Sequence, residues 1–82
     1  MVYAVFMYPE NGFDSDKKKV QDAGLVVGKR YTLKDADVGG FFTTITLEEI
    51  PGRFNSVHFK FEKDDQTEAD IYHNPEYSHY DW

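Results

Sequence analysis

The sequence contains no cysteine, a single tryptophan, three prolines, no apolar run beyond the one that ends at Tyr8, and no Lys or Arg anywhere from Asp64 to Trp82. Without cysteine there is no disulfide framework and no cysteine-ligated zinc, so apolar packing and backbone pairing must hold the fold together. The apolar run is far shorter than the roughly 20 residues that cross a bilayer, and no basic leader precedes it. A soluble, cytoplasmic protein without membrane partner or targeting signal is expected. A chain of 82 residues has room for one core, because so small a domain buries only about 60% of its unfolded surface.

Charge is uneven along the chain. All nine Lys and Arg fall within residues 1–63, balanced there by nine Asp and Glu, whereas residues 64–82 carry Asp64, Asp65, Glu68, Asp70, Glu76 and Asp81 with no base. The whole formal charge of −6 therefore belongs to the C-terminal segment. Such a segment repels nucleic-acid backbones and is attracted to basic protein surfaces. Two regions follow: a small β domain over 1–63 and an acidic, aromatic segment over 64–82.

Strand patterns dominate the first region. "MVYAVFMY" (Met1 to Tyr8) is apolar on both faces and reads as a central strand covered on both sides. "RYTLK" turns Tyr31 and Leu33 inward, after a turn at Gly28. "FFTTITLE" places Phe41, Thr43, Ile45 and Leu47 on one face, with Gly39 and Gly40 reversing the chain before it. Proline and glycine then make a corner, and from Phe54 or Ser56 to Glu62 alternation resumes with Val57, Phe59 and Phe61 inward. On that reading Ser56, His58, Lys60 and Glu62 face outward. "SDKKKVQDAG" fits a short helix near 15–23, capped by Ser15 or Asp14 and stopped by Gly24. Its interior offers only Val20 and Ala23 to a core, so a long loop with one helical turn is the alternative. Short strands, glycine turns and no long helix make the fold class mainly all-β: a small, strongly bent antiparallel barrel. The expected core is Tyr31, Leu33, Ile45, Leu47, Val57, Phe59 and Phe61.

"LVVGKRYTL" (Leu25 to Leu33) resembles the leucine, two residues, glycine-lysine, one residue, tyrosine, one residue, aliphatic pattern of small bacteriophage and prophage proteins. "LEEIPGRFNSVHFKFE" resembles a phage-type strand that ends in acidic residues, turns through proline-glycine and resumes as "FNSV" and a phenylalanine-rich strand. This resemblance spans Leu25 to Glu62 and implies an SH3-like (Src-homology-3-like) barrel in a mobile-element accessory protein. It brings no known catalytic residues.

Chemical constellations are sparse. The serines Ser15, Ser56 and Ser78 lack a glycine-flanked elbow, and "GKR" lacks the upstream glycine of a phosphate loop. His73, Glu76, His79 and Asp81 are metal-ligand types, but their spacing matches no common site and Asn74-Pro75 interrupts a helix. No catalytic residue, metal or cofactor is expected, and an enzyme, such as a small hydrolase, is the third reading. Direct nucleic-acid binding is the second, through Lys17, Lys18, Lys19, Lys29, Arg30, Lys34, Arg53 and Lys60, with Phe42 for stacking. The charge balance and acidic segment weigh against it. The favoured reading is a protein-interaction module whose acids Asp64, Asp65, Glu68, Asp70 and Asp81 steer approach, and whose Tyr77, Tyr80 and Trp82 anchor the complex. The expected partner is a host protein with a basic surface that handles nucleic acid, and the activity expected is modulation or inhibition of the anti-CRISPR kind. The outer barrel face, Phe42, Thr44, Ser56, His58 and Lys60, is the alternative site.

Overall fold

A computed structural model describes residues 1–39 and 43–71. Five antiparallel strands form one bent sheet: β1 (Val2–Phe6), β2 (Arg30–Val38), β3 (Thr43–Leu47), β4 (Phe54–Asn55) and β5 (Phe59–Lys63), in the order β4-β3-β2-β1-β5. The bend lies in β2. Its first residues pair with β1 through Thr32 and Tyr31, its later ones pair with β3 through Ala36 and Val38, and the register shifts between Leu33 and Asp35. A bulge of this kind increases strand twist and lets one strand serve two sheet faces. The result is the expected small, strongly bent, mainly β barrel with one short helix.

The inward faces follow the alternation of apolar residues. Tyr31, Leu33 and Ala36 from β2, Ile45 and Leu47 from β3, Phe54 from β4 and Phe59 and Phe61 from β5 are buried together with Ala4 and Phe6 of β1. β1 is paired on both edges, to β2 and β5. Only one of its faces is fully covered, however, because Tyr3 and Val5 on the other are half-buried. Strand β2 runs further than "RYTLK", since Ala36 and Val38 continue its buried face.

The segment after Asn11 forms helix α1 (Asp14–Asp22). Phe13, not Ser15 or Asp14, is its N-cap, and Asp16 Oδ2 accepts from the Phe13 N–H at 3.0 Å. The C-terminal end is a Schellman motif: Gly24 N–H bonds the Gln21 carbonyl and Leu25 N–H bonds the Val20 carbonyl. Gly24 there has φ +73°, which glycine adopts without a Cβ penalty. One fully buried residue, Val20, holds the helix to the core, with Ala23 and Leu25 beside it. Asn55 Nδ2 donates to Asp16 Oδ2 and so ties α1 to β4, the edge strand.

Two expectations about "FNSVHFKF" are corrected. Asn55 accepts a hydrogen bond from the Val57 N–H and caps a 3₁₀ turn over Ser56–His58 between β4 and β5. The turn shifts the phase of the alternation. Val57, expected in the core, is 42% exposed, while Ser56 and His58, expected outside, are buried. Alternation resumes only at Phe59.

Residues 64–71 fold back on the barrel. Gln66 N–H bonds the Lys63 carbonyl and Lys63 N–H bonds the Thr67 carbonyl, with Gln66 at φ +67°. This is a three-residue hairpin loop with a left-handed residue at its end. Glu68 then pairs with Glu62, Ala69 N–H bonds the Phe61 carbonyl, and Ile71 is 0% exposed in the core. Burying an isoleucine side chain fully contributes about 1.5–3 kcal/mol, so this strap stabilises the barrel.

Candidate functional site

Four of the acids proposed from sequence lie on the hairpin, and the structure divides them by role. Asp64 Oδ2 is 3.2 Å from the Met1 ammonium, whose hydrogen bond holds the Asp64 carboxyl below its usual range. Asp65 accepts from Thr67 Oγ1 at 2.6 Å and from the Thr67 N–H at 3.1 Å, which likewise lowers its pKa. Asp65 thus closes the loop, and Asp64 ties it to the N-terminus. Glu68 and Asp70 are exposed and line a groove of about 520 Å³. Asp81, Tyr77, Tyr80 and Trp82 lie outside the described residues, as do His73, Glu76 and His79.

The groove runs beside β5 and residues 68–70. It is lined by Tyr8, Lys60, Glu68 and Asp70 together with the nearly buried Phe59, Phe61 and Ala69. Tyr8 is 45% exposed but held in place. Its N–H and that of Met7 each donate to the His58 carbonyl at 3.0 Å, and its own carbonyl is 2.8 Å from His58 Nδ1. A carbonyl can only accept, so Nδ1 carries the proton of that bond. The imidazole is enclosed, tilted against Phe6 and edge-on to Phe59, and its Nε2 has no hydrogen-bond partner among the described residues. His58 thus positions the Tyr8 corner and is not on the outer face.

The alternative outer-face set is not brought together. Ser56 and His58 are buried, Thr44 sits over the β2–β3 side near Arg53, Lys60 lies in the groove on β5, and Phe42 is outside the described residues. Several of the basic candidates are engaged within the fold. Arg30 lies 3.6 Å over the Tyr3 ring, its Nε is 2.9 Å from Glu62 Oε1, and it donates to the Lys63 carbonyl. Lys29 lies over Tyr31, Arg53 is 3.8 Å from Asp37, and Lys17 is 3.8 Å from Asp14. On the same outer face, Glu49 is bound by both the N–H and the hydroxyl of Thr32. Partial burial pushes its carboxyl up, but these hydrogen bonds outweigh that and leave its pKa lowered.

Sequence reasoning missed a cluster of exposed apolar side chains. Val26 and Val27 sit on the turn whose Gly28 N–H bonds the Phe6 carbonyl; Met7 and Tyr8 follow Phe6 directly; Val57 is joined to this loop by the Asn11 side-chain amide at 3.0 Å. Phe13, 76% exposed, comes two residues after Asn11. The hydrogen bonds gather these residues at one end of the barrel. For Val57 the signal was Asn55, whose side chain caps the 3₁₀ turn that sends Val57 out. No group of His, Asp and Glu able to hold a metal ion occurs among the described residues, nor does a helix long and apolar enough to cross a membrane.

Fold and surface define a small, bent antiparallel barrel with a C-terminal strap, an apolar end and an acidic-rimmed groove. The chain belongs to the bacteriophage T4 protein Y07B family, whose model matches residues 1–81. It is a phage protein, in keeping with the phage proteins that Leu25–Leu33 and the "FNSV" stretch resemble. No curated protein and no solved structure matches it.

Proposed function

We propose that this chain is a non-enzymatic phage accessory protein that binds a host protein with a basic surface, one that handles nucleic acid, and modulates or inhibits it in the manner of an anti-CRISPR factor. The observation that supports this reading is the exposed apolar end formed by Met7, Tyr8, Phe13, Val26, Val27 and Val57. Scattered exposed apolar residues are ordinary, but a group of them on so small a domain marks an interaction surface. Glu68 and Asp70, both exposed, carry negative charge on the same body. Charge of that kind steers association, whereas apolar and aromatic anchors slow dissociation. Tyr77, Tyr80, Asp81 and Trp82 extend the same chemistry along the chain.

The test is retention of host proteins from a bacterial lysate on the full chain and on the full chain carrying Val26→Asp and Met7→Asp, followed by activity assays of what is retained. A nucleic-acid-handling enzyme that the unaltered chain retains and slows, and the doubly altered chain does not, is the expected result. Retention of no host protein, or of one whose activity is unchanged, refutes the reading. With the partner in hand, Glu68→Gln with Asp70→Asn should chiefly slow association and flatten its salt dependence, and Trp82→Ala or Tyr80→Ala should chiefly speed dissociation.

A further inference from the structure

The apolar end differs in charge from the rest of the molecule. Its six exposed side chains come from residues 7–29 and 54–58, where Glu10, Asp14, Asp16 and Asp22 are matched by Lys17, Lys18, Lys19 and Lys29, a formal charge of zero. The whole acidic excess therefore lies elsewhere. Part of it sits at the opposite end of the barrel: β1 and β5 pair from Phe6 opposite Phe59, next to Met7 and Tyr8, to Val2 opposite Lys63, which leads into Asp64 and Asp65. Four residues of strand separate these two ends by about 13 Å. A basic surface is drawn to the hairpin end, whereas the apolar end matches a surface that is itself apolar and without net charge.

Exposure within this group runs from 40% at Met7 to 76% at Phe13. With side chains of roughly 100–250 Å² each, the end presents about 500 Å² of apolar surface. We propose that a second copy of this chain covers it, apolar end against apolar end, in a two-fold dimer that the host partner must displace. A two-fold contact requires a surface complementary to itself, and a neutral apolar patch meets that condition. The acidic hairpins then point away from each other, about 25 Å or more apart, beyond the distance of about 8–10 Å over which exposed charges act in physiological salt. Their repulsion therefore does not prevent the contact. Burial on both copies comes to about 1,000 Å² before the rim is counted, which is the lower limit of a specific interface, so the dimer is weak and exchanges readily. This inference rests on the apolar end being the partner-binding surface and names what regulates access to it.

The test is sedimentation equilibrium of the full chain over a dilution series, with its backbone amide signals followed across the same series. A dissociation constant between about 10 μM and 1 mM is expected, with dilution shifting the amides of Met7, Phe13, Val26, Val27 and Val57. Met7→Asp with Val26→Asp should weaken association about a hundredfold, because in a two-fold contact each added carboxylate is present on both copies. Phe13→Ser alone, at the most exposed of the six, should weaken it about tenfold. Lys34→Glu, an exposed site on β2 beyond the residues that pair with β1 and so toward the opposite end, should leave association unchanged. A chain that stays monomeric at about 1 mM, an association indifferent to these apolar-end substitutions, or one that added salt abolishes would each overturn the dimer, and retention of a host protein would then leave the binding function standing. A host protein that binds and leaves the dimer intact overturns the competition. Failure to retain any host protein while the dimer forms refutes the function instead.

Discussion

Replacing His58 by alanine removes a ring that is 0% exposed, tilted against Phe6 and edge-on to Phe59. Truncation of a buried aromatic ring costs about 3–5 kcal/mol, and the imidazole, smaller than phenyl, belongs at the lower end. Loss of the Nδ1–H bond to the Tyr8 carbonyl adds about 1 kcal/mol. Removing Nε2, buried with no partner among the described residues, returns about 1–3 kcal/mol. The net expectation is a loss of about 1–3 kcal/mol. A domain of this size has about 4–12 kcal/mol in all, so the variant should lose a large share of its stability. His58→Phe is the informative companion, because it keeps the ring while deleting both the bond and the orphaned nitrogen, whose effects oppose each other. It should lie within about 1 kcal/mol of the unaltered chain. Urea unfolding followed by fluorescence reads both, provided the slopes agree so that midpoints report stability. An alanine variant within about 0.5 kcal/mol would mean that the ring is at the surface, as the alternation had suggested. A phenylalanine variant as damaged as the alanine one would refute the argument that packing outweighs the Tyr8 bond.

Ile71→Ala should cost about 2–5 kcal/mol in urea unfolding, since Ile71 is fully buried; a loss below about 0.5 kcal/mol would show that the strap does not enter the core. Glu49 has a lowered folded-state pKa, so its contribution is full above its ordinary unfolded range near about 4.3 and is lost as pH falls through the folded value. Glu49→Gln should therefore lower the urea midpoint at neutral pH and leave it nearly unchanged in strong acid, and an equal loss at both pH values would contradict the hydrogen-bonding account.

How much of this was legible depends on which interaction sets each element. Where a strand has one buried face, alternation alone locates it, which is why Tyr31, Leu33, Ile45, Leu47, Phe59 and Phe61 are in the core as expected. Alternation fails wherever a side chain competes for the backbone. Asn55 binds the Val57 N–H, winds Ser56–His58 into a turn and exchanges the inside and outside positions. The cue was present, because Asn before Ser is a capping sequence, but a continuous strand pattern on either side concealed it. Helix α1 was undecided because propensity and a single apolar anchor, Val20, do not settle so short an element; its Schellman end and the Asn55–Asp16 contact do. The hairpin at 63–67 was hidden for a different reason. Its left-handed position holds Gln66, where glycine would have advertised the loop, and what stabilises the loop is Asp65 binding Thr67.

That hairpin changes how the acidic segment must be understood. From sequence, all of the net charge sits beyond residue 63, and a solubilising appendage would account for it. In the structure Glu68 is paired backbone to backbone with Glu62, and the residues on either side of Asp70, Ala69 and Ile71, belong to the core. The folded body through Ile71 therefore holds nine basic and thirteen acidic side chains, a net of −4, and carries most of the charge itself. Of its four hairpin carboxylates, Asp64 is turned to the Met1 ammonium and Asp65 to Thr67, while Glu68 is exposed. Charge fixed to a rigid edge acts at a defined place, whereas charge on a free chain acts only through its average. A chain cut at Lys63 would lose Ile71 and Ala69 from the core together with this charge, so loss of binding by such a fragment could not separate folding from recognition. Single substitutions at Glu68 separate them, because its side chain is exposed and its pairing with Glu62 is made by backbone.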